Sequence, residues 1–556
     1  MPKRLAITIS GAVSLGSYEA GVLYEILAAI AAHNTNPGTP AAERILIDVL
    51  TGASAGGMCA TMLAQKLLYE GAALTGVDSN ALHDPWVNDV SLAALLNQTT
   101  DDCPENSLLS SQLVEAISKK YLMGRYAIGA PPTAAPHPAI DPAQPLRLGL
   151  SLSNLDGIDY AKNLRTGGQF VYTRYQDEFL RVFSNDPQSD NAAAWEDARN
   201  AAVSCGAFPF AFAVKMLQRT VADYVNPIPA NFPQLNLRFA YTDGGVFQNE
   251  PLGMAKNFVD DIDDHQNTES RFYLFIAPGT RGSTIASGDT PLLTDQNADF
   301  LATAKALVGA IYNQARFHDW IMAEETNRDV ELFNRRSTQL MQDLLNGIAV
   351  ASVIAPAADA YINLLQANEP ARFTVAFVKA ALDRLKGQFA LEYLTLSASA
   401  LPTGTPDAWL KSILVLELAA DLDTTDEMNI FAVTASESEL AGSSLDAFSG
   451  FFDQRIRQHD YDVGRNKAKD FIRAQNAPGA NGLGPFRYEL GQAIPVDPAF
   501  NKFDPSKLSE DERTELRDRL VDGANSLLDK ADVPATVRWA LKTFYIKPKL
   551  NTWLSL

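Results

Sequence analysis

One serine sits in a run of small residues, Gly52-Ala53-Ser54-Ala55-Gly56-Gly57, between an apolar stretch, Ile45 to Leu50, and a helix-compatible one, Met58 to Ala64. Strand, sharp turn and helix in that order form the setting in which a G-x-S-x-G serine becomes a nucleophile. Small neighbours such as Gly52 and Gly56 let the turn close without a side-chain clash, and the helix start brings unpaired N–H groups beside the hydroxyl. Such a serine needs a base for its proton and donors for the oxyanion it creates. Asp243, in Tyr241-Thr242-Asp243-Gly244-Gly245-Val246, is the strongest carboxylate. It ends an alternating apolar strand, and the carboxyl ends of strands are where open α/β sheets place their sites. Gly244 and Gly245 allow a sharp turn beneath it, and the same residues also read as a plain tight turn. A carboxylate is a weak base at neutral pH, so direct transfer from Ser54 requires attack and proton transfer to be coupled. The chain has six histidines. Among them His459, in Arg457-Gln458-His459-Asp460-Tyr461, is the one suited to a Ser-His-Asp triad, which stays open as an alternative.

The elements that must position these groups follow from periodicity. Leu5 to Ile9 reads as a first strand ending in a Gly-containing loop, Ser10 to Gly16, and Ala20, Leu23, Leu27 and Ile30 then place apolar groups on one helix side. With the strand at Ile45 to Leu50 and the helix after Ser54, the order is that of a parallel sheet covered by helices. A Pro-rich loop before Leu146 precedes strands at Leu146 to Leu152, Gln169 to Thr173, Leu235 to Tyr241 and Phe272 to Ala277. Beyond residue 300 long Ala- and Leu-rich helical patterns run from Leu301 to Leu391, with breaks expected near Pro356 and Pro370. Leu344 to Ala358 reads as a buried helix of this second region, or as a lid over an acyl site. Strands are expected at Ser412 to Leu416 and Asn429 to Val433, and an amphipathic helix at Ser509 to Leu528.

Of 556 residues 46% are hydrophobic and 20% charged, a composition that supports one large core or two domains. Against 66 Asp and Glu stand 46 Lys and Arg, a net charge of -20 that excludes general nucleic-acid binding and adsorption to anionic bilayers by charge alone. Three scattered cysteines form neither a disulfide framework nor a metal motif. Lys3-Arg4 before an apolar run has the charge order of a signal peptide, but Ser10-Gly11 ends that run early, and no other stretch is long enough to span a membrane. A cytoplasmic protein, peripheral at membranes at most, is expected.

The serine elbow (Gly52, Ser54, Gly56), the downstream Asp243-Gly244-Gly245 and the order in which they occur resemble the patatin-like phospholipase family. The resemblance covers roughly residues 5 to 280 and implies a Ser–Asp dyad of Ser54 and Asp243 on a three-layer α/β sandwich with a mainly parallel central sheet. It further implies an oxyanion loop at Ser10 to Gly16, with donors from Gly11, Ala12 and Val13. Ser204-Cys205-Gly206-Ala207-Phe208-Pro209 is similar to another family segment, and Phe208, Phe210 and Phe212 then fall along the acyl channel. The loop departs from the family's D-G-G-G-x-R-G in having Ala12 and Val13 at inner glycines and Leu15 at the arginine. Backbone donors survive such changes where φ and ψ stay allowed. Losing the arginine counts against strong recognition of a phosphate head group.

The expected protein is therefore a lipid acyl hydrolase working through an acyl-enzyme, with a catalytic domain at 1–300 and a mainly helical region at 301–556. Neither step needs a metal or organic cofactor, and the expected partner is a lipid or other acyl ester, with transient contact to a membrane surface. A non-catalytic lipid-binding or interaction module that keeps the fold is the remaining rival, motivated by the altered loop. Tail segments Ala447 to Phe452 and Arg457 to Asn466 are similar to those of a bacterial subset of the family, and the polar cluster in the second reads as an anchoring network.

Overall fold

The computed structural model describes residues 2–496 apart from 97–106, 108, 133–135, 164–167, 210, 225–228, 230–236, 264–269, 280–309, 311–317, 346–350, 369, 371–372, 403, 420–427, 444–446 and 481, with scattered positions between 509 and 551. It divides into two units: Met1–Phe258 with Ser270–Asp319 and Ile430–Leu556, and Val259–Glu269 with Trp320–Asn429.

The first unit is built on an eight-stranded sheet: β1 (Lys3–Ile9), β2 (Ile45–Gly52), β3 (Leu146–Asn163), β4 (Gln169–Phe183), β5 (Lys215–Arg219), β6 (Leu237–Thr242), β7 (Arg271–Ala277) and β8 (Ile430–Thr434). Its order is β5-β6-β3-β2-β1-β7-β8, with β4 paired to β3. The run from β3 to β8 is parallel, and β4, β5 and β6 add antiparallel pairs on the other side. β1, β2 and β7 are buried along their whole central lengths, as continuous apolar strands covered on both faces must be. One charge interrupts β2: Asp48 pairs bidentately with Arg271 at 2.7 and 3.0 Å.

Helices flank this sheet. α1 (Gly16–Thr35) packs along α4 (Gln454–Gln475), and α2 (Ser54–Tyr69) packs on α3 (Ala192–Cys205). The approach of α1 to α4 is close because Gly21 faces the Tyr461 carbonyl and Gly464 faces the Tyr18 carbonyl. With the turn before it, α1 spans Val13–Thr35 and has the length and hydropathy of a membrane span. In this fold 78% of that window is buried inside the protein, as befits a core helix.

The second unit is helical: His318–Leu345, Ala351–Asn368, Val375–Gln388, Ala390–Ser397 and Thr405–Ala419. Leu385, Trp409, Ile413 and Leu414 centre its core. The strand expected at Ser412 to Leu416 is instead part of the Thr405–Ala419 helix, because Trp409, Leu410, Ile413 and Leu414 recur at helical spacing and are buried together. Pro356 lies inside a helix rather than ending one. Leu344 and Ala358 are buried, while 346–350 fall outside the described residues. The strand expected near Asn429 is β8, which joins the first unit's sheet beside β7. A division at residue 300 is therefore not the one the fold makes, since the chain returns to the first unit from Ile430 onward. The helix expected at Ser509 to Leu528 lies largely outside the described residues.

Candidate active site

β2 ends at Gly52 and α2 begins at Ser54, so the chain reverses direction in two residues. Ser54 pays for this with φ +50°, a left-handed conformation that is costly for a residue with a Cβ. The turn is pinned from beneath: Ala53 N–H donates to the Ile9 carbonyl at 3.2 Å. A Cβ on Gly56 would collide with the Ser10 and Ile9 carbonyl oxygens, so only glycine lets α2 start this close to β1.

Asp243 follows β6 on the same edge. Its N–H donates to the Ala207 carbonyl at 2.9 Å, which also takes the Thr242 hydroxyl at 2.8 Å. Ser153 Oγ donates to the Asp243 carbonyl at 2.7 Å, and Ser151 Oγ to that of Gly244 at 3.0 Å. The segment Ser204 to Pro209 thus has a mechanical role, holding the backbone of the aspartate. Gly244 lies against the Ser151 carbonyl, where no side chain fits.

These constraints bring two residues 189 positions apart into contact: Ser54 Oγ donates to Asp243 Oδ2 at 2.5 Å. The other oxygen, Oδ1, accepts from Gly245 N–H at 2.7 Å. The aspartate is buried, and burial raises its carboxyl from 3.8 to about 7 despite the two hydrogen bonds that favour the charged form. The shift improves it as a base near neutral pH. His459 has a different partner: its Nδ1 lies 3.1 Å from Asp460 Oδ1, and Asp460 in turn accepts from Ala441 and Gly442 N–H, both at 2.8 Å.

The Ser10 to Gly16 loop runs beside the hydroxyl. Gly11 N–H donates to the Asn249 carbonyl at 3.0 Å, and Asn249 Nδ2 returns a bond to the Gly11 carbonyl at 3.4 Å. The Gly11 donor is therefore engaged, and of the three expected donors Ala12 and Val13 remain without a protein acceptor among the described residues. Val13 is held at φ +52°, so a β-branched residue occupies the left-handed position where the family pattern has glycine. Asn249 and Ala55 were missed from sequence. The first was visible only as part of the Asp-Gly-Gly stretch. The second follows from helix geometry, since α2 opens at Ser54 and Ala55 N–H has no partner within the helix.

A cavity of about 810 Å³, counting its open mouth, leads away from Ser54. Met58, Met62, Trp86, Leu122, Phe208 and Phe212 are among its almost wholly apolar walls. Phe210 lies outside the described residues. Phe451 also lines it, and Phe448 meets Phe208 edge-on at 5.1 Å, so the tail segment Ala447 to Phe452 forms part of the wall. Arg457 fixes that wall. Its buried guanidinium donates to the carbonyls of Val87, Gly450 and Phe451 at 3.0 to 3.2 Å and, among the described residues, faces no carboxylate at hydrogen-bond distance, and burial lowers it to about 10. Arg465 and Asn466 anchor α4, to Glu25 at 3.2 Å and to the Ile494 carbonyl at 2.9 Å. No three His, Cys, Asp or Glu side chains gather as a metal would require among the described residues.

A serine elbow at the carboxyl edge of a mainly parallel sheet, facing an aspartate and an apolar cavity, is the arrangement of a patatin-like fold. Residues 7–256 match the patatin-like phospholipase family, so this stretch of the chain is a patatin-like domain. An uncharacterised membrane protein of Mycobacterium tuberculosis, Rv3479, is 26% identical over 308 residues, covering 50% of this chain and 27% of that protein. An uncharacterised protein of Sinorhizobium fredii, y4iI, is 24% identical over 391 residues, covering 56% of this chain and 54% of that protein. The chain thus spans about a quarter and about half of the lengths of these two relatives.

Proposed function

We propose that this protein is a serine hydrolase that cleaves lipid acyl esters through a Ser54–Asp243 dyad. The observation that carries the reading is the 2.5 Å bond from Ser54 Oγ to a buried carboxylate at the head of an apolar cavity. Ser54 Oγ attacks the ester carbonyl carbon as its proton passes to Asp243. The N–H groups of Ala12, Val13 and Ala55 hold the oxyanion, and such donors are each worth about 3 kcal/mol in the transition state. Collapse of the tetrahedral intermediate breaks the bond to the alcohol oxygen, which leaves with the proton from Asp243. Water then attacks the acyl-enzyme, giving one proton to Asp243 and, on collapse, the free fatty acid. The proton on Asp243 returns to Ser54 Oγ.

The acyl chain fits the Met58, Met62 and Phe212 side of the cavity, where each buried CH₂ contributes about 0.8 kcal/mol. Purified protein incubated with mixed lipids is expected to release free fatty acid, and a fluorophosphonate probe is expected to label Ser54. Ser54→Ala and Asp243→Asn should release none. An unlabelled Ser54 in folded protein would favour the non-catalytic lipid-binding module.

A further inference from the structure

β3 and β4 do not stop where the sheet does. β3 pairs with β2 only as far as Leu150 and with β6 only at Ser153 and Asn154, yet the two strands stay paired to Asn163 and Gln169. From Ser153, whose hydroxyl holds the Asp243 carbonyl, the ribbon therefore runs about ten more residues beyond the catalytic edge, a reach of up to about 30 Å. A two-stranded ribbon is marginal in water by itself. This one is stiffened by aromatic stacking, Tyr160 on Tyr172 at 5.9 Å and Phe170 on Tyr172 at 6.2 Å.

The residues it exposes are the wrong ones for water. Phe170 is 56% exposed and Tyr172 is exposed on the same face, outward of the buried Tyr160 and Ile158, while Val171 and Tyr175 are exposed on the other face. At its root Tyr175, on the Val171 face, meets the exposed Phe247 at 6.4 Å, four residues after Asp243, so apolar surface on that face reaches the site. Clustered exposed apolar surface marks an interaction site. The charges among the strip's described residues are also unlike the rest of a chain of net charge -20. Lys162 stands across from Phe170 and Arg174 across from Ile158, against Asp156 and Asp159, so the described ribbon is neutral where the chain as a whole is acidic. Aromatic side chains interleaved with Lys and Arg are what the head-group layer of a bilayer accepts, rings among the upper acyl chains and cations among the phosphates.

We infer that the β3–β4 ribbon is an interfacial docking strip that lies along a phospholipid bilayer and brings the dyad's edge of the sheet to it. The lipid nature of the partner rests on the hydrolase reading above. The strip explains how an acidic protein approaches phospholipid: contact is local and apolar, not driven by net charge.

The test is co-sedimentation of the full chain with phosphatidylcholine vesicles, alongside turnover of a short-chain soluble ester. Wild type and Ser54→Ala are expected to bind equally. Phe170→Ser with Val171→Ser, both at the exposed end of the ribbon, should lower partitioning about tenfold or more while soluble-ester turnover is unchanged. Lys162→Glu with Arg174→Glu should lower it independently. Undiminished binding by both double variants, or no binding by wild type, would overturn the inference. So would a self-association of wild type that Phe170→Ser with Val171→Ser abolishes when vesicles are not bound. Vesicle binding without any ester turnover would leave the docking strip standing and remove the hydrolase reading instead.

Discussion

Replacing Asp243 by Asn should make the protein more stable and inactive at once, and the size of the first effect follows from the site. Burial holds the folded carboxyl at about 7, while the unfolded chain titrates near 3.8. Between these values the native state keeps a proton that the unfolded state has released. Stability therefore falls as pH rises through that window, by about 1.4 kcal/mol per pH unit, and the loss is complete above pH 7. Integrated, the ionised aspartate costs about 4 kcal/mol of folding free energy at pH 8. An asparagine amide has the same shape, can accept from Gly245 N–H through its oxygen while its NH2 donates to Ser54 Oγ, and carries no charge. Other carboxylates titrate in the same range, so the quantity to follow is the difference between Asp243→Asn and wild type in urea unfolding at each pH. It should be near zero at pH 4, rise through pH 5 and 6, and level off above pH 7 at up to about 4 kcal/mol in favour of the variant. A difference that does not change with pH, or a variant less stable than wild type at pH 8, would refute the claim that this carboxylate is buried without a compensating cation.

The same titration governs rate. Only ionised Asp243 accepts the Ser54 proton, so kcat/KM on a soluble ester should rise tenfold per pH unit on the acid side and bend near pH 7. His459→Gln should keep turnover within a few-fold of wild type, because its ring is engaged with Asp460. A loss of orders of magnitude with folding intact would restore the triad. Arg457→Met should destabilise by about 2–4 kcal/mol in urea unfolding, since the carbonyls of Val87, Gly450 and Phe451 lose their charged donor. Long-chain esters should suffer more than short ones, because Phe451 lines the cavity.

Local chemistry made the catalytic edge readable. Gly52, Gly56 and Gly244 are required by close backbone approaches, and such steric demands leave their mark on residue type. The strands β1, β2 and β7 and the first half of β3 were also plain, because burial on both faces keeps them largely apolar. Ser412 to Leu416 misled because a short apolar run has no period of its own, and only its neighbours Trp409 and Leu410 reveal the helix. Of the ribbon only Gln169 to Thr173 was visible as a strand, not its continuation to Phe183 nor its partner beyond Leu152, for the opposite reason. Its exposed aromatics alternate like those of a half-buried strand, and nothing in the sequence tells a face that meets protein from one that meets solvent. Two features of the site also needed coordinates. The Gly11 donor is taken by the backbone of Asn249 and the cavity wall is completed by Phe451, and both are contacts across more than two hundred residues.

Strain points in the same direction as the hydrogen bonds. Among the described residues three non-glycine positions have φ in the left-handed region: Val13, Ser54 and Ala447. Val13 and Ser54 both line the cavity mouth, and the Ala447 carbonyl accepts the hydroxyl of Ser14, the residue after Val13. Each such residue costs about 1–3 kcal/mol and persists only where its surroundings overdetermine it. A fold kept only to bind lipid would gain by relaxing all three, since Gly at each position removes the penalty without touching the core. With the unfavourable ionisation of Asp243, the strain gathers where the Ser54 hydroxyl, the Asp243 carboxylate and the Ala12 and Val13 N–H groups converge. Such costs, borne together at one edge of an otherwise well-packed sheet, support the hydrolase reading over that of a non-catalytic lipid binder.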